Sequence, residues 1–216
     1  MQLGFVSQPR YTLQFVSKRI IDILGAGVGI LLLSPLMLAI ALVISLDSKG
    51  PIFFRQERLG RGGKPFSIWK FRTMVVNAER LLQDLEHLNE SEGGILFKMR
   101  EDPRITRVGK FLRRTSLDEL PQLFNVLQGT MSLVGPRPLQ LRDCTLAVEN
   151  HHATFVKRAE LMPGVTGLWQ ISGRSEVSFE YMLHLDIIYR DRWSLWLDFY
   201  IIWQTFVVVI TGKGAY

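Results

Sequence analysis

The chain has 216 residues, 47% of them hydrophobic, and a formal charge of +6. That length buries one good core, so one domain with a membrane-directed element is expected. An apolar yet basic chain suits an anionic membrane surface or a phosphate-rich ligand. Zinc-finger spacing, an aromatic RNP-type strand pair and a basic region followed by heptads are all absent, which argues against nucleic acid. The lone Cys144 excludes an internal disulfide and a cysteine-based metal cluster.

The first apolar run, Ile20 to Leu46, reads "IIDILGAGVGILLLSPLMLAIALVISL" with Asp22 as its one charge. It starts too late and lasts too long for an ordinary signal peptide, so it is expected to stay in the mature protein. Its length permits a transmembrane helix, but Ser34 and Pro35 fall in its middle, where proline deletes a backbone hydrogen bond. Lys18 and Arg19 precede it, and Lys49, Arg55, Arg58, Arg61 and Lys64 follow, a pattern that favours both ends on the cytoplasmic side. From these residues a helix that enters and leaves by one leaflet and a plain spanning helix both stay open.

Next, "IFFRQERLGRGGKPFSIWKFRTM" carries two strand-like runs around Gly60, Gly62 and Gly63, the pattern of a hairpin with a glycine-rich loop. Alternation places Phe66, Ile68, Lys70 and Arg72 on one face, where the two cations read either as a phosphate site or as a solvated strand face. Helical periodicity over Val75 to Leu88 is broken by "NESEGG". Asp102 and Pro103 predict a helix start, with Ile105, Val108, Phe111 and Leu112 as its apolar face. Further helices are predicted over Arg142 to Ala159 and from Ser178, with the strand-like, glycine-rich "MPGVTGLWQISGR" between them. That segment matches neither the P-loop nor the dinucleotide fingerprint. Near the end, Trp193, Trp196, Tyr200 and Trp203 mark an apolar helix interrupted by Asp198, expected to lie in the membrane interface.

The adjacent acids Asp118 and Glu119 admit two readings. Ser116 to Glu119 spells a capping box, and a helix start explains both acids without chemistry. Alternatively, a carboxylate beside Arg113 and Arg114 stays ionised, attracts a divalent cation, and can attack phosphorus. Consecutive residues of a helix point about 100° apart, so the pair cannot flank a glycosidic bond as a hydrolase pair would. Arg137, held between Pro136 and Pro138, is either part of a rigid turn or a guanidinium set against phosphate oxygens.

Four ordered motifs, "KRIIDILGAGVGILLLSPLMLAI", "GPIFFRQERLGRGGKPFSIWKFRTM", "LRRTSLDELPQLFNVLQGTMSLVGPRP" and "PGVTGLWQISGR", make the chain resemble the bacterial sugar transferases, the monotopic phosphoglycosyl transferases, from about Ser17 to Tyr216. The resemblance implies transfer of a sugar 1-phosphate from a UDP-sugar to a membrane polyprenyl phosphate such as undecaprenyl phosphate. UMP would leave, Mg²⁺ would be required, and the site would face the cytoplasm at the bacterial inner membrane. Carried over by motif, Asp118 is the nucleophile that forms a covalent phosphosugar intermediate and a ligand of Mg²⁺, and Glu119 is its partner. Lys70, Arg72, Arg113 and Arg137 grip phosphates, while Gly167, Gln170 and Arg174 match the segment associated with the nucleotide. The first helix would be re-entrant, broken at Ser34 and Pro35.

The implied architecture is α+β and mainly helical: one membrane-seated domain with a re-entrant segment over 1–48, and a catalytic part over 49–216 holding a small β-hairpin and interfacial amphipathic helices. Larger relatives carry further membrane helices and a soluble domain, so the chain reads as a minimal catalytic form. Residues 1–16 and 79–98 match nothing assignable. A homodimer is compatible with the chain, though no sequence feature marks one. A catalytically silent membrane adaptor and a hydrolase acting on the same intermediate are the competing functions, and the sequence names neither the sugar nor the pathway.

Overall fold

A computed structural model describes residues 12–90, 97, 99–173 and 177–211. Helix α1, Thr12–Asp47, is followed by strands β1, Phe53–Leu59, and β2, Pro65–Phe71, and by helix α2, Ala78–Leu85. Helices α3, Arg107–Thr115, and α4, Gln122–Gln128, flank a single 3-10 turn, Leu117–Glu119. Strand β3, Ser132–Val134, helix α5, Leu141–Ala159, strand β4, Gly164–Thr166, and helices α6, Leu168–Ile171, α7, Phe179–Arg192, and α8, Leu195–Thr211, complete the order. The mainly helical α+β class is as expected.

The hairpin is antiparallel, with Phe54 opposite Lys70 and Arg58 opposite Phe66. Its loop needs glycine because Gly62 and Gly63 have φ of 71° and 74°, a region that side-chain-bearing residues avoid. Strands β3 and β4 form a separate parallel pair with Ser132 opposite Gly164 and Val134 opposite Thr166. Helix α5 makes the crossover that a parallel pair requires.

Helix α1 explains how an all-round apolar segment serves a folded body. It is long and apolar enough to cross a membrane, yet only 17% of its most apolar window is buried in the molecule. The inward stripe is Asp22, Ala26, Ile30, Leu33, Met37, Ile40 and Ile44, spaced by three or four residues, one face of a helix. Ala26 packs with Ile68, Leu123 and Val126, and Ile40 and Ile44 pack with Phe71 and Leu112. The stripe covers roughly 33 Å of helix at about 1.5 Å per residue, so both ends rest on the same body. Outward, Leu24, Leu31, Leu32, Leu38, Leu42 and Leu46 are exposed.

The expected break at Ser34 and Pro35 does not appear as an interruption, since α1 runs through Pro35. Proline at this position orphans the Leu31 carbonyl, four residues back. The Ser34 hydroxyl donates to that same carbonyl at 2.9 Å, replacing the missing bond.

Both ends of α1 are bolted down by polar contacts. Lys18 lies 2.7 Å from Asp198 Oδ2 on α8, and Asp22 Oδ1 accepts from Ser132 Oγ at 3.1 Å and from the Leu133 amide at 3.0 Å. Asp198 also accepts from the Tyr189 hydroxyl at 2.7 Å and from Trp193 Nε1 at 3.2 Å. So Asp198, which interrupts the apolar pattern in the sequence, faces inward, while Trp196, Tyr200, Trp203, Phe206 and Ile210 line the exposed face of α8. At the other end of α1, Arg72 donates Nη1 to the Lys49 carbonyl at 2.5 Å and Nη2 to the Ser48 carbonyl at 2.6 Å.

The start of α3 is later than predicted. Thr106 is the cap, its side chain accepting from the Gly109 amide, while Asp102 pairs with Arg104, Oδ2 to Nη2 at 2.6 Å. Phe111, expected in the core, is 59% exposed, and Leu112 takes the buried position. Gly109 allows α3 to press on the hairpin exit, because a Cβ there would stand 2.0 Å from the Thr73 carbonyl oxygen.

Candidate active site

Arg113 and Arg114 close α3, and the chain then reverses at Ser116, which has φ of 57° and ψ of 16°. Among the described residues it is the one non-glycine with positive φ, a conformation costing on the order of 1–2 kcal/mol. The reversal throws Leu117–Glu119 into a tight turn whose acids point back at the hairpin. The capping-box reading is therefore overturned: Ser116 gives that turn no side-chain cap, and the Glu119 carboxylate goes elsewhere. The reason is long-range charge, which outweighs a local cap.

Glu119 Oε1 lies 2.6 Å from Lys70 Nζ and 2.9 Å from Arg137 Nη2. Asp118 Oδ2 lies 3.8 Å from the same Lys70 nitrogen. One acid thus takes both close cations, and the Asp118 carboxylate accepts no hydrogen bond from the described residues. Arg113 sets its Nε on Thr73 Oγ1 at 3.0 Å and adds positive charge near Asp118. The acid pair and the proline-flanked arginine thus meet beside Lys70 of β2.

The electrostatics separate the two acids. Burial raises the Asp118 carboxyl, and Lys70 and Arg113 offset that only in part, so it stays above the usual aspartate range. Arg113 does favour the charged form, as its position in the sequence suggests, but its effect ranks behind burial and Lys70. Burial also acts on Glu119, but Arg137 and Lys70 outweigh it and hold Glu119 well below the usual range. Burial lowers Lys70, with Glu119 opposing. Two carboxyls pushed apart in this way can take different roles.

Arg58 and Gln122, which the sequence reading did not single out as site residues, line a narrow cleft with Lys70, Glu119 and Arg137. Arg58 is fixed by Gln56 Oε1 at 2.7 Å and the Pro138 carbonyl at 3.2 Å, and burial beside Arg137 brings it down to about 10. Four cations, Arg58, Lys70, Arg113 and Arg137, face two carboxylates, a surplus that matches the two negative charges of a diphosphate. Behind them Asn125, fully buried, joins α4 to β2: Oδ1 accepts from the Trp69 amide at 2.9 Å and Nδ2 donates to the Ser67 carbonyl at 2.8 Å.

The remaining predicted residues lie differently. Arg72 stands apart from this cluster at the end of α1, because β2 stops at Phe71 and the alternation ends with it. Gly167 is needed for packing: a Cβ there would stand 2.3 Å from the Gly135 carbonyl oxygen, and one on Gly164 would stand 2.1 Å from the Gly135 amide nitrogen. The segment before Arg137 and the glycine-rich segment after α5 thus meet in one tight backbone crossing at Gly135, Gly164 and Gly167. Gln170 donates Nε2 to the Val165 carbonyl at 3.0 Å and keeps Oε1 buried and unpaired. Trp169, next to it, lies under the Arg137 guanidinium, 5.7 Å from ring centroid to carbon. Arg174 lies outside the described residues.

A divalent metal fits the donors here in one mode. No group of three or more candidate ligand side chains gathers among the described residues, whereas Mg²⁺ is commonly held through one or two carboxylates together with substrate phosphates and water. Asp118, a hard oxygen donor without a hydrogen-bond partner among the described residues, would be that carboxylate.

Comparison with known proteins bears on the family. The family model described as bacterial sugar transferase matches residues 13–212. A galactosyl transferase, CpsE, of Streptococcus agalactiae is 44% identical over 93% of this chain but only 43% of its own length. An undecaprenyl-phosphate galactose phosphotransferase of Salmonella typhimurium is 41% identical over 92% of this chain and 41% of its own. The exopolysaccharide production protein ExoY of Rhizobium meliloti is 40% identical over 93% of this chain and 88% of its own. The chain thus spans less than half the length of the first two and most of the third. With the family model covering nearly the whole sequence, the chain belongs to the bacterial sugar transferase family.

Proposed function

We propose that the chain transfers a sugar 1-phosphate from a UDP-sugar to a polyprenyl phosphate and releases UMP. The observation that carries this is the asymmetry of the acid pair: Glu119 is bound by Lys70 and Arg137, and the adjacent Asp118, 3.8 Å from the same Lys70, accepts no hydrogen bond from the described residues. An Asp118 oxygen attacks the phosphorus that bears the sugar, the bond to the bridging oxygen breaks, and UMP leaves. An acceptor phosphate oxygen then attacks the same phosphorus and restores the carboxylate. Glu119 fixes Lys70 and Arg137 where charge gathers on the leaving diphosphate oxygens, an electrostatic contribution. Mg²⁺, when bound at Asp118, would neutralise diphosphate charge.

The membrane arrangement is part of the proposal. The exposed apolar faces of α1 and α8 sit in one leaflet at the cytoplasmic face of the bacterial inner membrane, and both ends of α1 return to the catalytic body. The support is the unbroken inner stripe and the polar bolts at Lys18, Asp22 and Arg72. A lipid-borne phosphate then reaches the site from the membrane, and a nucleotide sugar from water. Relatives are named for galactose and for glucose transfer to undecaprenyl phosphate, and a hexose donor of this kind is the proposed substrate class.

The test is UMP release in lipid nanodiscs with Mg²⁺, undecaprenyl phosphate and a panel of UDP-sugars. The wild type should release UMP with one or a few donors, and Asp118→Asn should abolish it. Full activity in Asp118→Asn, or a folded wild type that uses no donor, would reject the proposal and favour an adaptor.

A further inference from the structure

We propose that Gln122 reads a hydroxyl of the donor sugar and so helps to set donor specificity; this rests on the transfer reading above. Gln122 is 2% exposed and lines the cleft with Arg58, Lys70, Glu119 and Arg137. Its side chain makes no hydrogen bond to the described residues. The sealed and unpaired polar atoms of the described residues are Arg58 Nε, Arg72 Nε, Trp169 Nε1 and Gln170 Oε1. Neither amide atom of Gln122 is among them, so both keep some access to solvent, and the residue lines the cleft.

A buried amide without a partner costs free energy unless something fills its hydrogen bonds. The other polar side chains named in this cleft are charged, and its cations already suit phosphate oxygens. An amide offers a donor and an acceptor together. A deprotonated phosphate oxygen can use only the donor, whereas a sugar hydroxyl uses both. Gln122 also follows Asp118 by four residues, about one helical turn, and Lys70 joins both acids to this cleft. The sugar on a phosphorus held by Asp118 therefore lies within reach of the amide.

The experiment compares wild type with Gln122→Met, similar in length but unable to donate or accept in this way. Rates of UMP release are measured with UDP-glucose, UDP-galactose, UDP-N-acetylglucosamine and the 2-, 3-, 4- and 6-deoxy forms of the best donor. UDP affinity is measured in parallel. The expected result is a fall in kcat/KM of about 10-fold or more on the best donor, the loss of one good hydrogen bond. One deoxy donor should be used equally by both proteins, and UDP affinity should be unchanged. An equal fall on every donor, deoxy forms included, or a parallel fall in UDP affinity, would overturn the inference. If Gln122→Met does not fold, Gln122→Asn, which keeps the amide at shorter reach, decides between the same outcomes. A wild type that binds UDP but releases no UMP from any donor would overturn the transfer reading itself, a result distinct from equal losses in an active enzyme.

Discussion

Arg158 donates Nε to Asp186 Oδ2 at 2.7 Å, with residue exposures of 6% and 1%, and turns Nη2 to the Arg137 carbonyl. A buried pair between α5 and α7 thereby fixes the backbone of the arginine that grips Glu119. Removing one partner of such a pair leaves an uncompensated charge and typically costs about 3–5 kcal/mol. Asp186→Asn should lower the melting temperature and UMP release together. The double variant Arg158→Met with Asp186→Leu should recover much of the stability but little of the activity, since nothing then holds the Arg137 carbonyl. Full recovery of both would show that the pair serves the fold alone.

The Ser34 and Pro35 pair makes a second prediction. In wild type the Ser34 hydroxyl occupies the Leu31 carbonyl that Pro35 leaves free. Ser34→Ala should therefore cost about 1 kcal/mol in a nanodisc melt, the net worth of a hydrogen bond. In a Pro35→Ala background the restored amide takes that carbonyl, and Ser34→Ala should cost close to nothing. A double-mutant cycle with no coupling would count against the compensation.

Periodic and local signals were legible in the sequence. The hairpin, α5 and the cap of α7 at Ser178, whose side chain accepts from the Tyr181 amide, lie where the pattern put them. The acid pair and Arg137 drew notice as charges in need of partners, although the residues alone left a cap and a rigid turn equally open, and the structure brings Glu119 and Arg137 together. What stayed hidden depends on contacts distant along the chain. Helix α1 is apolar on every side, so no sequence period distinguishes its inward stripe. The left-handed turn at Ser116 reads locally as a cap, and the parallel pairing of β3 with β4 joins segments about thirty residues apart. Arg58 and Gln122 reach the cleft only through the folded hairpin and α4.

Asp102 gives the pH prediction. Burial pushes its carboxyl upward, but the hydrogen bonds and charge of Arg104 outweigh burial and hold it below its ordinary value of 3.8. The folded carboxyl is thus more acidic than the unfolded one, so its stabilising contribution is present above about pH 4 and is lost as pH falls through the lowered value. Asp118 and Asp186 are shifted upward and act with the opposite sign, so the comparison is made within one position. Melting temperatures of wild type and Asp102→Asn, measured from pH 7 to 3, should converge as the pH drops. A constant gap across that range would assign the loss to packing.

The last prediction separates two cations that alternation placed on one strand face. Lys70 meets Glu119 at 2.6 Å within the cleft, whereas Arg72 lies beyond the end of β2 and donates to the Ser48 and Lys49 carbonyls. Those carbonyls follow α1, where a guanidinium satisfies groups that the helix end leaves unpaired and is favoured by its dipole. Lys70→Met should abolish UMP release by more than about 100-fold, because it removes charge at the reacting phosphate. Its melting temperature should move little, since the buried Glu119 keeps Arg137 as a partner at 2.9 Å. Arg72→Met should do the reverse: it releases the end of α1 and lowers the melting temperature, while the folded fraction keeps most of its rate. If Arg72→Met instead abolished activity in a protein of unchanged stability, the sequence-level reading of Arg72 as a phosphate ligand would be restored, and the end of α1 would have to move toward the cleft during turnover.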